Sequence, residues 1–157
     1  MNARPLMRLR LTTAATEEIG PTPHGRLSIF PITGGSFEGE RLRGIVLGGA
    51  DWVTAAADGT RELDLRVTLQ TDDGALIHMT FTGVRDDANH YFRTLPRFET
   101  AAPKYAFLNR LLAVGIGEGT ETGRSTPSKR FFEEATYVIE QNSHRYESVA
   151  GDWGRVG

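Results

Sequence analysis

The clearest order in the chain lies between Arg61 and Gly83. Across Arg61–Gln70, Leu63, Leu65, Val67 and Leu69 alternate with Glu62, Asp64, Arg66, Thr68 and Gln70. Period two over such a run puts apolar side chains on one face of a β-strand and polar ones on the other. Thr71-Asp-Asp-Gly74 interrupts the pattern, which resumes through Ile77, Met79 and Phe81. A two-residue Asp73-Gly74 turn would set Thr68 beside Met79 and mix the faces. A loop of Asp72, Asp73 and Gly74 instead pairs Leu69 with Ile77, Val67 with Met79 and Leu65 with Phe81. The other face then holds Thr68 opposite His78, Arg66 opposite Thr80 and Asp64 opposite Thr82. A slip of one residue turns every side chain over, so matched faces select this second register. Gly74 takes the left-handed position that such a loop needs.

Weaker strands surround this hairpin. Met7, Leu9 and Leu11 alternate with Arg8 and Arg10. Gly25–Ile32, Leu42–Leu47, His90–Leu95 and Leu111–Ile116 are short apolar runs bounded by Gly or Pro, and Glu134–Glu140 is a late strand. Gly20-Pro-Thr-Pro23, Gly34-Gly35, Gly48-Gly49 and Asp58-Gly59 read as turns. Helical spacing occurs only in residues 104–112, through Tyr105, Leu108, Leu111 and Leu112, and suits one short helix. Short strands with frequent turns predict an all-β fold. A single antiparallel β-barrel of about 8–10 strands is preferred, because closure leaves no open edge. Residues 1–141 are assigned to the barrel and 142–157 to a C-terminal tail, in which Tyr146, Val149 and Trp153 offer docking contacts. Residues 117–128 read as a polar loop.

Composition narrows the functions. With 157 residues, 39% of them hydrophobic and 24% charged, the chain is long enough for one domain with a real core. Eighteen basic and twenty acidic side chains give a net charge of −2 without a basic stripe, which argues against nucleic-acid and membrane-surface partners. No window reaches the roughly 18 apolar residues of a membrane span, and residues 1–11 lack the apolar stretch of a secretory signal. Cysteine is absent, so thiolate catalysis and thiolate metal sites are excluded. A cytoplasmic location is the default expectation.

A set of motifs runs through the chain in order. Phe30-Pro-Ile-Thr-Gly-Gly-Ser-Phe-Glu-Gly39 is followed by Leu42-Arg-Gly-Ile-Val-Leu47 and Gly48-Gly-Ala-Asp-Trp52. Leu63-Asp-Leu-Arg66, Thr71-Asp-Asp-Gly-Ala-Leu-Ile77, Tyr91-Phe-Arg-Thr-Leu-Pro-Arg-Phe-Glu-Thr100 and Tyr105-Ala-Phe-Leu-Asn109 complete it. Together these resemble domain-of-unknown-function family 3237, from about Ile19 to Gly117. The resemblance implies an antiparallel β-barrel and little about activity. The chain departs from the pattern after Gly117, and Phe107 stands where tryptophan is usual.

The polar face of Arg61–Gln70 has two possible homes: the solvated outside of the sheet, or a polar lumen. In a polar lumen, Glu99 and Asp51 are the candidate acid–base carboxylates, provided burial raises a pKa toward neutrality. Glu99 is favoured, because little turn chemistry surrounds it. Arg66 or Arg93 would hold a developing anion, with Tyr91, Tyr105, Asn109 and His78 as polar partners and Trp52 as a wall. Asp72 and Asp73 fit better as turn formers, and Asp51 has a competing explanation as a turn residue after Gly48-Gly49.

His24, His78, His90 and His144 show no metal-ligand spacing, so no metal is expected. Gly115-Ile-Gly117-Glu-Gly119 lacks the context of a nucleotide loop and reads as a glycine-rich turn. No P-loop and no nucleophile elbow occurs. No cofactor is expected. The leading functional expectation is a small-molecule-binding barrel acting as a cofactor-independent isomerase, cyclase or lyase on a carbonyl- or carboxylate-bearing metabolite. The rivals are a non-catalytic carrier of a small organic molecule and a structural module with a side-chain-filled barrel, which could also build a homo-oligomer.

Overall fold

The computed structural model describes residues 2–118 and 130–140. The expected polar loop and C-terminal tail lie almost wholly outside these residues. Nine strands form one antiparallel sheet: β1 (Asn2–Thr13), β2 (Glu17–Thr22), β3 (Gly25–Glu38), β4 (Arg43–Ala55), β5 (Arg61–Thr71), β6 (Leu76–Asp86), β7 (Tyr91–Glu99), β8 (Ala113–Glu118) and β9 (Arg130–Glu140). Their order is β1-β9-β8-β7-β6-β5-β4-β3-β2, and a further β1–β3 pairing closes eight strands into a barrel. β3 is long enough to serve two neighbours. Its end from Ile32 pairs with β1, while Gly25–Ile29 pairs with β2.

The central hairpin has the expected register, with Leu65 opposite Phe81, Val67 opposite Met79 and Leu69 opposite Ile77. Thr71 and Ala75 flank the three-residue loop, whose amides at Ala75 and Gly74 bond back to Thr71, and Gly74 has φ +87°. Only the leucine face points inward. Leu63, Leu65, Val67 and Leu69 are buried with Ile77, Met79 and Phe81, while Arg66 and His78 stand exposed outside. An eight-stranded barrel is just wide enough for its interior to fill with side chains, and Leu9, Leu11, Phe37 and Phe98 fill this one from the other strands. The lumen is therefore mainly apolar, and the polar-lumen alternative does not hold.

One end is shut. The expected helix is a 3₁₀ helix, Pro103–Arg110, whose Tyr105 and Leu108 are buried in the core. The Tyr105 hydroxyl donates to Asp73 Oδ1 at 2.8 Å, and Lys104 Nζ reaches Asp73 Oδ2 at 3.0 Å. These bonds fasten the helix to the β5–β6 turn. Three hydrogen bonds, from Thr71, Lys104 and Tyr105, hold the Asp73 carboxyl well below its usual range. Among the described residues, no helix is long and apolar enough to cross a membrane.

Two expected turns are strand interiors. Gly34-Gly35 lies within β3 and Gly48-Gly49 within β4. Gly49 has φ +153°, and a Cβ there would strike the backbone of Arg66 and Val67 on β5. Glycine inside a strand marks a bulge or close backbone approach, and both are present here. The β4–β5 register shifts between Val46 and Gly48, so Val46 and Gly48 flank the extra residue Leu47. Gly115 and Gly117, expected in a turn, belong to β8. A Cβ at Gly117 would run into the ring of Phe92, so the glycine leaves room for that ring inside the barrel.

Candidate functional site

The bulge in β4 decides where Asp51 goes. Before it, even-numbered Val46 points inward; after it, odd-numbered Val53 does. The inserted Leu47 thereby turns Asp51 into the barrel and Trp52 out to solvent. A continuous alternation from Val46 would have done the reverse. Asp51 stands opposite Leu65 on β5 and Phe30 on β3, at a position otherwise suited to an apolar side chain.

Its surroundings are a cavity of about 120 Å³ at the end of the barrel away from the 3₁₀ helix. Phe30, Ile32, Leu63, Leu65 and Phe92 give it apolar walls, with Thr13, Arg61 and Arg85 also lining it. Asp51 Oδ1 is shut off from solvent and, among the described residues, has no hydrogen-bond partner. Burial pushes the carboxyl up from 3.8 to about 7; a backbone hydrogen bond at Asp64 opposes the rise, and the Asp64 charge adds slightly to it. A carboxyl group in this range both gives and takes a proton at neutral pH, which suits general acid–base work.

Arg61 and Arg85 occupy the rim. They are directly opposite each other in the β5–β6 register, on the same inner face as Leu63 and Leu65. Asp87 binds both, with Arg85 Nε 2.6 Å from Oδ1 and Arg61 Nη1 3.3 Å from Oδ2. The Arg85 guanidinium also lies over the Phe92 ring, 5.4 Å from its centroid. The hydrogen bond from Arg85, with the charges of Arg85, Arg61 and His90, keeps the Asp87 carboxyl below its ordinary value.

The other expected site residues do not meet Asp51. Glu99, the favoured carboxylate, is exposed on the outer wall directly opposite His78. It shares a hollow of about 250 Å³ with His78 and Asn109. The strand alternation that buries Phe98 puts Glu99 outside, so the lack of turn chemistry near it signalled a strand rather than a site. Asn109 clasps the chain after β7, bonding the amide and carbonyl of Thr100. Trp52, Tyr91 and Arg93 do come together, along an open groove of about 880 Å³ on the outer wall. Arg66 lies 5.9 Å from the Trp52 ring centroid and 3.6 Å from Asp64, and Arg93 lies 5.1 Å from that of Tyr91. Tyr105 is at the closed end, bonded to Asp73.

This outer groove is larger than the inner cavity but, among the described residues, offers no enclosed reactive group. The smaller inner cavity joins a buried carboxyl, apolar walls and cations, and is the better candidate. Sequence reasoning named Asp51 but missed Phe30, Arg61, Arg85 and Phe92. The signal for the arginines was available: extending the hairpin alternation by one step past Leu63 pairs Arg61 with Arg85 on the leucine face.

Known proteins share this architecture. A UPF0311 protein of Clostridium acetobutylicum is 36% identical over 101 residues, which span 54% of this chain and 64% of the relative. The crystal structure of a β-barrel-like protein from Acinetobacter baumannii superposes with a TM-score of 0.78 at 32% identity, covering 88% of this chain and 96% of that one. A hydroalkoxylation enzyme of Penicillium herquei is 38% identical over 84 residues, 54% of this chain and 52% of its own length. An enzyme structure from the same fungus matches with a TM-score of 0.70 at 27% identity, over 88% of this chain and 94% of that one. The model of a protein family of unknown function, DUF3237, matches residues 1–133, and the chain belongs to that family.

Proposed function

We propose that the Asp51 cavity, at the end of the barrel away from the 3₁₀ helix, is an active site in which Asp51 moves a proton on a small unsaturated organic molecule without a cofactor. The observation that carries this reading is the Asp51 carboxyl itself, turned into the lumen with Oδ1 shut off from solvent and, among the described residues, unpaired, and raised to about 7. An aspartate in a leucine position costs stability, and proton transfer gives that cost a use. The Penicillium herquei relative named a hydroalkoxylation enzyme supports the same class. Hydroalkoxylation adds an alcohol O–H across a carbon–carbon double bond. Within one molecule it is an isomerisation: one C–O and one C–H bond form, and nothing is released.

Asp51 can serve both halves of such a reaction. Its protonated form delivers a proton to the alkene carbon, the hydroxyl oxygen attacks the adjacent carbon, and the carboxylate recovers the hydroxyl proton. Phe30 and Phe92 wall the cavity and exclude water from the developing cation, favouring the internal hydroxyl over solvent. 3-Allyl-4-hydroxybenzoate, which carries both groups on one ring and a carboxylate within the chemistry of the lining Arg61 and Arg85, tests the assignment. The wild-type protein should convert it to an isomer of the same mass, Asp51→Asn should abolish conversion, and Glu99→Gln should retain it. Conversion by Asp51→Asn at the wild-type rate, or none by the wild type, would overturn this reading.

A further inference from the structure

The rim arginines are an expense in the fold that the proton-transfer step does not explain. Like charges directly opposite each other across antiparallel strands destabilise the pair. Arg61 and Arg85 are such a pair, and both line the cavity. Asp87 offsets one of the two charges. It also sets their geometry, because each guanidinium takes a different carboxylate oxygen. Arg85 spends its Nε–H on Asp87 and keeps four N–H donors, while Arg61 meets Asp87 as an ion pair. Phe92 stacks beneath Arg85 and restrains its plane. The result is a pair of restrained donor forks at the edge of an apolar cup, two guanidinium charges against the one carboxylate of Asp87.

Resting on the assignment of this cavity as the active site, we propose that its substrate is a small organic carboxylate. The carboxylate is held by Arg61 and Arg85, and the apolar, reacting part lies against Phe30, Phe92 and Asp51. Planar guanidinium groups match a carboxylate in two-point contacts, as a single ammonium would not. Size agrees with this division. A cavity of about 120 Å³ is somewhat smaller than the roughly 150 Å³ that accommodates one benzene, so it takes about one ring or its equivalent, and the charged arm lies at the rim. Arg61 and Leu65, the partner of Asp51, are four residues apart on β5, roughly 13 Å of strand. Arginine side chains reach down part of that length, which leaves room for a ring with a short arm.

Binding of two unreactive probes, 3-phenylpropanoate and 3-phenylpropanamide, separates charge recognition from catalysis. They share a shape and differ in charge. Measured by NMR titration on the full chain, the carboxylate should bind about tenfold more tightly, the worth of charge-assisted hydrogen bonds. The preference should shrink at high salt. In Arg61→Gln/Arg85→Gln it should vanish while amide binding persists, which also shows that the variant is folded; Arg61→Gln alone should lose part of it. Equal binding of both probes at the Phe30 and Phe92 resonances would overturn the carboxylate assignment and leave the cavity as a site. No binding of either probe would overturn both.

Discussion

Asp51 and Leu65 face each other across β4 and β5 on the inner wall of the barrel. A carboxyl group thus stands in a row of aliphatic side chains, and its protonation is tied to folding. The folded value is about 7 against an ordinary 3.8, so the folded state binds the extra proton between those limits. Below about pH 4 both states are protonated and Asp51 costs nothing electrostatically. Stability is lost as pH rises through 7, where the buried group must ionise. Asp51→Asn should therefore be more stable than wild type at about pH 8, by on the order of 3 kcal/mol, with the difference shrinking toward pH 4. Urea unfolding midpoints across this range check it.

The bulge at Gly48-Gly49 gives a second test. A Cβ at Gly49 would meet fixed backbone of β5, whereas one at Gly59 meets open space. Gly49→Ala should cost more than about 2 kcal/mol, since both the contact and the positive φ oppose it. Gly59→Ala, with φ +89° but no clash, should cost about 1 kcal/mol. Denaturant melts of the two variants separate crowding from backbone strain.

At the closed end, Tyr105→Phe removes the hydroxyl that donates to Asp73. The variant should unfold at lower denaturant at neutral pH. The Asp73 carboxyl is held below its usual range, so its contribution is present above the unfolded value and lost as pH falls through the folded one. The deficit of Tyr105→Phe should accordingly narrow in acid. A pH series of melting midpoints reads this out.

Glu99 and Arg66 lie on the outer wall. Glu99→Gln and Arg66→Gln should each change stability by less than about 0.5 kcal/mol. Phe81→Ala, which empties a fully buried position in the same sheet, should cost roughly 3–5 kcal/mol. Thermal unfolding of the three variants would reveal any error in the assignment of inner and outer faces.

The hairpin was legible because alternation and turn chemistry agree: one register satisfies both Leu65 with Phe81 and a left-handed Gly74. Its inner face was not, because period two alone does not say which side a barrel encloses. The site was harder still. Trp52 and Asp51 are neighbours in sequence and project from opposite faces of β4, and a bulge hidden in Gly48-Gly49 decides which goes inside. Glycine pairs punctuate turns in most contexts, so these read as loops. Glu99 was misplaced for the opposite reason: it lies in a regular strand, where alternation with buried Phe98 already assigns it to solvent.

The 3₁₀ helix that shuts one end of the barrel also imposes a traffic rule. Among the described residues Tyr105 and Leu108 seal the floor, so in the proposed site a molecule that reached Asp51 would leave by the way it came. Product and incoming substrate would then exclude one another. In the proposed reaction, product would back out past Arg61 and Arg85, and the inhibition it exerted would be competitive.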